Sequence, residues 1–430
     1  MPTTDPYAAW RLRNYRFYAG SWFLMTIAKQ IETVAIGVYI IYGLNYAAKE
    51  GALALGFLGL VQALPVMVLA IPGGQIADRL DRRLVVAATL AVTMLVSVAL
   101  AVACYFHCPA TWIYSLLLLS AVAQAFGSPS RSALLPWIVP AEGFSNAVAW
   151  NSSVFHIASM VGPALGGALV ELPHGVPLAL LVVVASRLLA WAGMLLLPAA
   201  RHRPSQPSIS VESLMAGVRF VWNQTPILAT ITLDLFAVLL GGADYLLPVF
   251  AKDILHFGPS AVGYLRSAEA AGAIFMAIVL THTRPIARAG RAMLWAVAGF
   301  GVATIVFGLS KNFYLSLAAM FWVGALDNIS VVVRHTLVQM LTPDAMRGRV
   351  SAVNNVFIVA SNDLGGLESG LTAWLLNSAV LSVVGGGIGT ILVVLGAAWK
   401  WPQILALGSL GDLRPIDCDQ SQAETVRELS

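Results

Sequence analysis

Twelve stretches of mostly apolar residues run through this chain of 430 residues. Each is close to the length of about 20 residues that an α-helix needs to cross a membrane. Hydrophobic residues make up 58% of the chain and charged residues 11%, against about 25% charged in typical soluble domains. The excess apolar side chains must face lipid, so the sequence predicts an all-α membrane protein. The predicted spans lie near residues 17–44, 53–76, 84–104, 112–130, 148–170, 176–197, 227–250, 262–280, 293–309, 315–333, 353–376 and 381–398.

The positive charges between these spans are unevenly divided. If the N-terminus is cytoplasmic, the connections on the opposite side of the membrane keep only Lys49, Lys252 and Lys311. Positively charged loops stay preferentially in the cytoplasm, so we expect both termini there. The cytoplasmic connections would then carry Arg79, Arg82, Arg83, Arg201, Arg203, Arg219, Arg284, Arg288, Arg291, Arg347, Arg349 and Lys400.

The longest connection between spans, residues 199–226, divides them six and six. Ser210 is a suitable N-cap, and Leu214, Val218 and Val221 fall on one helical face behind it. This pattern predicts an amphipathic helix on the cytoplasmic membrane surface, with a soluble linker helix as the alternative. The predicted division is an N-terminal bundle at 1–198, the linker at 199–226, a C-terminal bundle at 227–400 and a cytoplasmic tail at 401–430.

The two halves of the chain are similar in sequence. A shift of 203 residues, without gaps, superposes seven identical pairs over 37 positions. Arginine, proline, asparagine and glycine replace one another less freely than aliphatic residues do, so the match indicates an internal repeat. Two similar six-span halves around a midplane site are a common plan among secondary transporters. The pairs are Arg131/Arg334, Leu134/Leu337, Pro140/Pro343, Ala149/Ala352, Asn151/Asn354, Gly162/Gly365 and Gly167/Gly370.

The loop between spans 2 and 3 reads Gly-Gln-Ile-Ala-Asp-Arg-Leu-Asp-Arg-Arg over residues 74–83. It resembles the signature loop of the major facilitator superfamily, Gly-x-x-x-Asp-Arg-x-Gly-Arg-Arg/Lys, and departs from it at Asp81. The resemblance implies that Asp78 latches the two bundles on the cytoplasmic side, where a carboxylate can face a helix N-terminus. The second-half copy around Arg288 has Ala287 in place of the acid, and a plain solvated turn is the alternative. The matching residues, a candidate cytoplasmic gate, are Gly74, Asp78, Arg79, Arg82 and Arg83.

Span 5 contains Gly162-Pro163-Ala-Leu-Gly166-Gly167, similar to the Gly-Pro-x-x-Gly-Gly motif of drug:proton antiporters in this superfamily. Glycine permits close helix contact and proline bends a helix, so the motif is a candidate hinge and seal. Segments 145–148, 246–250 and 341–350 resemble the subgroup of enterobactin exporters and macrolide efflux proteins. The resemblance implies twelve helices in two pseudo-symmetric six-helix bundles, in a bacterial inner membrane.

Ionisable residues within the predicted spans are costly in lipid and are usually functional. Two pairs, Lys29/Glu32 and Arg266/Glu269, have helical i,i+3 spacing and could neutralise themselves, which is a structural alternative. Arg131 and Arg334 lie nearer the cytoplasmic ends of spans 4 and 10. The mid-span residues are Lys29, Glu32, Arg187, Asp234, Asp244, Arg266, Glu269, Asp327, Asp363 and Glu368.

The family resemblance implies that spans 1, 4, 7 and 10 line a central cavity. Glu32, Asp244 and Asp327 are then the best candidates for carrying a proton, because a carboxyl group away from water favours its neutral form. Arg187 is expected in the outer ring of helices, in a packing or snorkelling role. Further candidates for the proton-coupling cavity are Glu269, Arg131 and Arg334.

These observations favour a secondary active transporter, a proton-coupled exporter of a hydrophobic or amphiphilic small molecule such as a siderophore or drug. An importer or uniporter of the same fold remains an alternative, and a membrane-embedded transferase is an alternative of another class. The sequence shows no Walker-type loop, Ser-His-Asp set or His-Glu-x-x-His motif, so we expect neither an enzyme nor ATP hydrolysis. The expected partners are the substrate, protons and the lipid bilayer. We expect a monomer without cofactor, metal or nucleic acid.

Overall fold

The computed structural model describes residues 5–198, 211–283, 286–406 and 408. All regular structure within these ranges is helical. The first half contains α1 (Arg13–Val38), α2 (Ala48–Arg79), α3 (Arg82–Tyr105), α4 (Ala110–Ser132), α5 (Ala141–Val170) and α6 (Gly175–Leu195). The linker contains α7 (Val211–Asn223). The second half contains α8 (Thr225–Gly241), α9 (Ser260–His282), α10 (Ala289–Leu309), α11 (Phe313–Leu341), α12 (Asp344–Leu375) and α13 (Ala379–Lys400).

Eleven helical segments of the described chain are long and apolar enough to cross a membrane. The remaining predicted span corresponds to α12, which has 32 residues and carries Asp363 and Glu368 among its apolar residues. It lies against α2, α8 and α13, so its polar side chains can face protein. The all-helical, many-span prediction is confirmed, and α12 has the length of a twelfth crossing.

The helix contacts repeat from one half to the other. In the first half α1 packs against α5 and α6, α3 against α4 and α6, and α2 against α4. In the second half α8 packs against α12 and α13, α10 against α11 and α13, and α9 against α11. Each contact of the first set therefore has its counterpart in the second. The two pseudo-symmetric bundles expected from the internal repeat are present.

The bundles meet at one end of the molecule. We call the end where α1 begins and α13 ends the terminal face, and the other end, where α2 and α9 begin, the opposite face. The most extensive contacts between the bundles are those of α2 with α12 and of α5 with α9. Hydrogen bonds joining described residues of the two halves lie toward the opposite face, among them Tyr42 Oη to the Phe257 carbonyl (3.2 Å) and Ser260 Oγ to Glu171 Oε1 (2.7 Å).

Small residues allow the helix backbones to touch at this join. A Cβ atom on Gly167 of α5 would lie 2.8 Å from the Ser260 carbonyl oxygen and 3.0 Å from Gly263 Cα. A Cβ atom on Gly56 of α2 would lie 3.1 Å from Gly370 Cα of α12. Larger side chains at these positions would separate the helices, so glycine there sets how closely the two halves approach.

The second bundle is held together by similar close contacts, and one of them gives a stability test. A Cβ atom on Gly272 of α9 would lie 2.8 Å from the Phe321 carbonyl carbon and 3.0 Å from the Ala325 nitrogen of α11. We predict that Gly272→Leu lowers the free energy of unfolding by about 1–3 kcal/mol or more, because the backbones must move apart. The measurement is the Tm of the detergent-purified protein. Gly385→Leu, in α13, is the matched control, since nothing lies within 4 Å of its added Cβ atom.

Candidate functional site

A polar cavity of about 230 Å³ lies between the two bundles. It exists partly because the seventh span is broken: α8 ends at Gly241, and a short 3₁₀ turn begins at Asp244. The broken segment places Asp244 and Tyr245 beside residues from both halves. The polar residues lining the cavity are Lys29, Gln30, Thr33, Gln62, Asp244, Tyr245, Arg266, Asn362 and Asp363.

Hydrogen bonds inside and around this cavity fix its polar groups. Lys29 Nζ donates to Gln62 Oε1, which joins α1 to α2. Tyr245 Oη donates to Asp363 Oδ1 at 2.8 Å, and Arg266 Nη2 donates to the Asp244 carbonyl oxygen at 3.4 Å. The cavity thus presents two basic and two acidic side chains to a small molecule, with one basic side chain from each half.

Sequence reasoning placed Lys29 and Asp363 in the membrane but did not select them for the site. The sequence contained one indication for Lys29, because Lys29 and Thr33 are one helical turn apart and so share a polar face of α1. Both residues line the cavity. The sequence contained less indication for Asp363, because Tyr245, whose hydroxyl donates to it, lies 118 residues away in sequence.

A second cavity, of about 90 Å³, lies within the second bundle. Three of the predicted proton-carrier candidates line it, Asp244, Glu269 and Asp327. Asp244 also lines the central cavity, so the two cavities share one carboxyl group. The geometry therefore places a cluster of acids next to the central cavity.

Arg334, also predicted for the site, is neutralised inside the second bundle. Its Nη2 lies 3.1 Å from Asp234 Oδ2, and its Nη1 donates to Asn354 Oδ1 at 2.9 Å. Ser330 Oγ donates to the other Asp234 oxygen at 3.4 Å. This network joins α8, α11 and α12, and Arg334 is only 2% exposed.

Glu32 lies inside the first bundle and pairs with Arg187. Arg187 Nη1 lies 2.8 Å from Glu32 Oε2, and its Nη2 donates to Oε1 at 3.1 Å. Ser97 Oγ of α3 also donates to Glu32, at 3.2 Å. Glu32 therefore has a partner on α6 rather than Lys29 one turn away. Of the two expected roles of Arg187, the structure agrees with packing and not with snorkelling, since this side chain points into the bundle and is 4% exposed.

Arg131, the remaining predicted cation, has an aromatic partner. Its guanidinium carbon lies 4.0 Å from the centre of the Trp22 ring, and Nη2 approaches Ser128 Oγ at 3.5 Å. The hydroxyl of Tyr18 donates to the Arg131 carbonyl at 3.5 Å. Arg131 thus lies where α4 meets α1, away from the acids of the second bundle.

The two sequence motifs lie at different ends of the structure. Gly166 and Gly167 lie toward the opposite face: Gly166 packs against Ile31 of α1, and Gly167 packs against α9. Pro163 is inside α5, and a Cβ atom on Gly162 would lie 3.2 Å from Gln30 Cγ. The proline-glycine motif therefore packs α5 against α1 and against the other half.

The loop at residues 74–83 lies at the terminal face. Arg82 Nη1 donates to the Ala133 carbonyl at 3.2 Å, and Arg83 Nη2 donates to the Leu195 carbonyl. These carbonyls belong to the ends of α4 and α6, where positive charge is favourable. Gly74 has open space around it. The side chains of Asp78 and Arg79 lie outside the described residues, so the latch stays a prediction.

The buried pair of Glu32 and Arg187 gives a second stability test. We predict that Arg187→Ala lowers the free energy of unfolding by about 3–5 kcal/mol, because it leaves a carboxylate buried without its cation. The double variant Glu32→Ala/Arg187→Ala removes both charges and should lose less. Thermal unfolding of the single and double variants measures the coupling. A double variant less stable than Arg187→Ala alone would show that the pair is not the stabilising unit.

Comparison with known proteins agrees with this architecture. Residues 22–409 match the family described as transmembrane secretion effector. The enterobactin exporter EntS of Citrobacter koseri is 26% identical over 394 residues, covering 91% of this chain and 90% of that protein. EntS of Shigella boydii serotype 4 is 26% identical over 373 residues, covering 86% of each chain.

Solved transporter structures share the fold at low sequence identity. A bacterial homologue of the human lysosomal transporter Spinster, in an inward-facing and unoccupied conformation, superposes with a TM-score of 0.69 at 14% identity, covering 92% of this chain and 97% of that one. A D-xylose–proton symporter superposes with a TM-score of 0.70 at 12% identity, covering 90% and 97%. The helix pairing, the two-bundle join and the family match over nearly the whole sequence lead to one conclusion: the chain belongs to the transmembrane secretion effector family of the major facilitator superfamily, and is a multi-pass membrane transporter.

Proposed function

We propose that this protein is a proton-coupled exporter of a small hydrophobic or amphiphilic molecule, of the siderophore or drug class, and that it works by alternating access. The observation that carries the proposal is the central cavity, which both bundles line and which adjoins a cluster of acids in the second bundle. The similarity to enterobactin exporters over 91% of the chain supports a siderophore-like substrate.

The distribution of contacts gives the proposed state of the transport cycle. Hydrogen bonds and glycine contacts between described residues of the halves lie toward the opposite face. By the positive-inside rule, the arginine-rich loops favour a cytoplasmic position for the terminal face. The structure then represents an inward-facing conformation, in which the seal formed by α2, α5, α9 and α12 separates the cavity from the outside.

The proposed coupling uses the acids of the second bundle. Asp244 lines both cavities, so a substrate can contact it while it stays next to the other acids of the second bundle. Arg266 is bonded to the backbone of Asp244, and Arg334 lies in the same cavity as Asp327. A nearby cation favours the ionised form of a carboxyl group. Rearrangement of these cations during the transition would therefore release the proton that the cavity had taken up.

The two motifs supply the proposed moving parts. Gly162, Pro163, Gly166 and Gly167 are the hinge and seal at the outer end of α5. Gly74, Asp78, Arg79, Arg82 and Arg83 are the cytoplasmic gate, which closes when the outer seal opens. Arg82 and Arg83 are bonded to α4 and α6 of their own half, so the loop can move with the first bundle as one body.

Transport by purified protein in liposomes tests the proposal. The probe is enterobactin, with a panel of hydrophobic drugs as further probes, and the driving force is an imposed proton gradient. In protein inserted with its cytoplasmic face outward, we expect the probe to enter the liposomes when their interior is more acidic than the medium, because protons leave as the probe enters. An ionophore that collapses the proton gradient should abolish this uptake. Transport that ignores the gradient would identify a uniporter. Movement together with protons would identify an importer.

The proton-carrier assignment gives a third prediction. Asp327→Asn and Glu269→Gln should reduce gradient-driven uptake to the level of protein-free liposomes, because neither amide can take up and release a proton. Membrane insertion and Tm should change little, since the substitutions keep size and shape. Asp253→Asn is the matched control, because this acid is exposed near the opposite face and should leave transport unchanged. Full gradient-dependent transport by both variants would refute the assignment.

A further inference from the structure

The internal repeat makes two arginines equivalent, and the structure gives them different surroundings. The shift of 203 residues places Arg131 on Arg334 and Asn151 on Asn354. Arg131 belongs to α4 and Asn151 to α5, while Arg334 and Asn354 belong to the corresponding α11 and α12. The comparison between halves is therefore one of equivalent positions on equivalent helices.

In the second half the charge of the arginine is balanced, although its buried Nε has no hydrogen-bond partner in the described structure. Arg334 pairs with Asp234 at 3.1 Å and with Asn354 at 2.9 Å. It is buried, and its charge is balanced by a carboxylate that faces it from α8. A negatively charged molecule gains little from this position, because the positive charge is already neutralised.

In the first half, Arg131 and Asn151 do not make the contacts that Arg334 and Asn354 make. Among the described residues, no carboxylate lies within ion-pair distance of Arg131, whose side chain is partly exposed. Asn151 Oδ1 is buried without a hydrogen-bond partner. The guanidinium lies instead against the face of the Trp22 ring. Cation–π attraction compensates part of its desolvation, but its planar set of N–H donors keeps capacity for an anion.

This arginine lies near the end of α4 at the terminal face. Trp22 precedes Lys29 by seven residues, so the two side chains share one face of α1, and Lys29 lines the cavity. The ring of Trp22 stacks with that of Phe155, with centres 6.2 Å apart and an angle of 17° between planes. Phe155 is 43% exposed. A cation and two stacked rings therefore lie between the terminal face and the level of Lys29.

We infer that Arg131, Trp22 and Phe155 form an entry subsite that binds the acidic group of a planar aromatic substrate. The inference deepens the proposed transport function, on which its biological purpose rests. The guanidinium binds the carboxylate or other anionic oxygen group, and the exposed face of Phe155 stacks on the ring. A lipid headgroup has the anionic oxygens but no ring to stack, so the aromatic pair favours the aromatic acid.

Binding by the full-length protein in lipid-free detergent tests the subsite without requiring transport. The probes are 2-naphthoate and its neutral counterpart 2-naphthamide, compared by isothermal titration. We expect the acid to bind about tenfold or more tightly than the amide, as a charge-assisted bidentate contact implies. Arg131→Gln should remove this preference, and Arg131→Lys should keep part of it. Arg16→Gln, an exposed arginine of α1, is the matched control and should keep all of it.

Equal affinity for acid and amide, or a preference that survives Arg131→Gln, would overturn the subsite. Competition by phosphatidylglycerol without any response to 2-naphthoate would also overturn it, in favour of a lipid site. Because no gradient is applied, a protein that fails to transport can still show the preference. That result would retain the subsite and refute the exporter proposal, so the two failures are distinguishable.

Discussion

Neutralising charge away from water is the constraint on which this structure depends. An ionised side chain inside a helical bundle costs free energy unless another group balances it. The first bundle meets this constraint with Glu32 and Arg187, and the second with Asp234 and Arg334. Each pair joins helices that are distant in sequence. Each bundle is thereby held as one body, which is what rocking of two bundles about a central site requires.

Other ionisable groups lie where the bundles face each other. Lys29 and Asp363 contribute to the polar cavity between the halves, and Asp244 lines both this cavity and the one inside the second bundle. The paired charges are not isolated from these groups, because Glu32 lines a cavity with Lys29 and Asp244, and Arg334 lines the cavity of the second bundle. A rearrangement of the cavity charges can therefore change the electrostatic field at the pairs that hold each bundle together.

The fold followed largely from the sequence because membrane helices are specified by length, apolarity and loop charge, all of which are local properties. The internal repeat also predicted which helices would be equivalent. The pairing of Glu32 with Arg187 could not be predicted from helical spacing, because it joins residues 155 apart. The i,i+3 rule suggested Lys29 instead, but tertiary packing placed Lys29 beside Gln62. The break after Gly241 was missed because apolar residues continue on both sides of it.

The join between the halves combines backbone contacts with a shared apolar core. Its closest contacts are between backbones at glycine, such as Gly167 with Gly263 and Gly56 with Gly370. Around them one cluster of buried apolar residues spans both halves, with Leu55 among its members. Opening the join would expose this apolar surface at a cost proportional to its area. In the proposed cycle, new contacts at the terminal face would have to offset that cost.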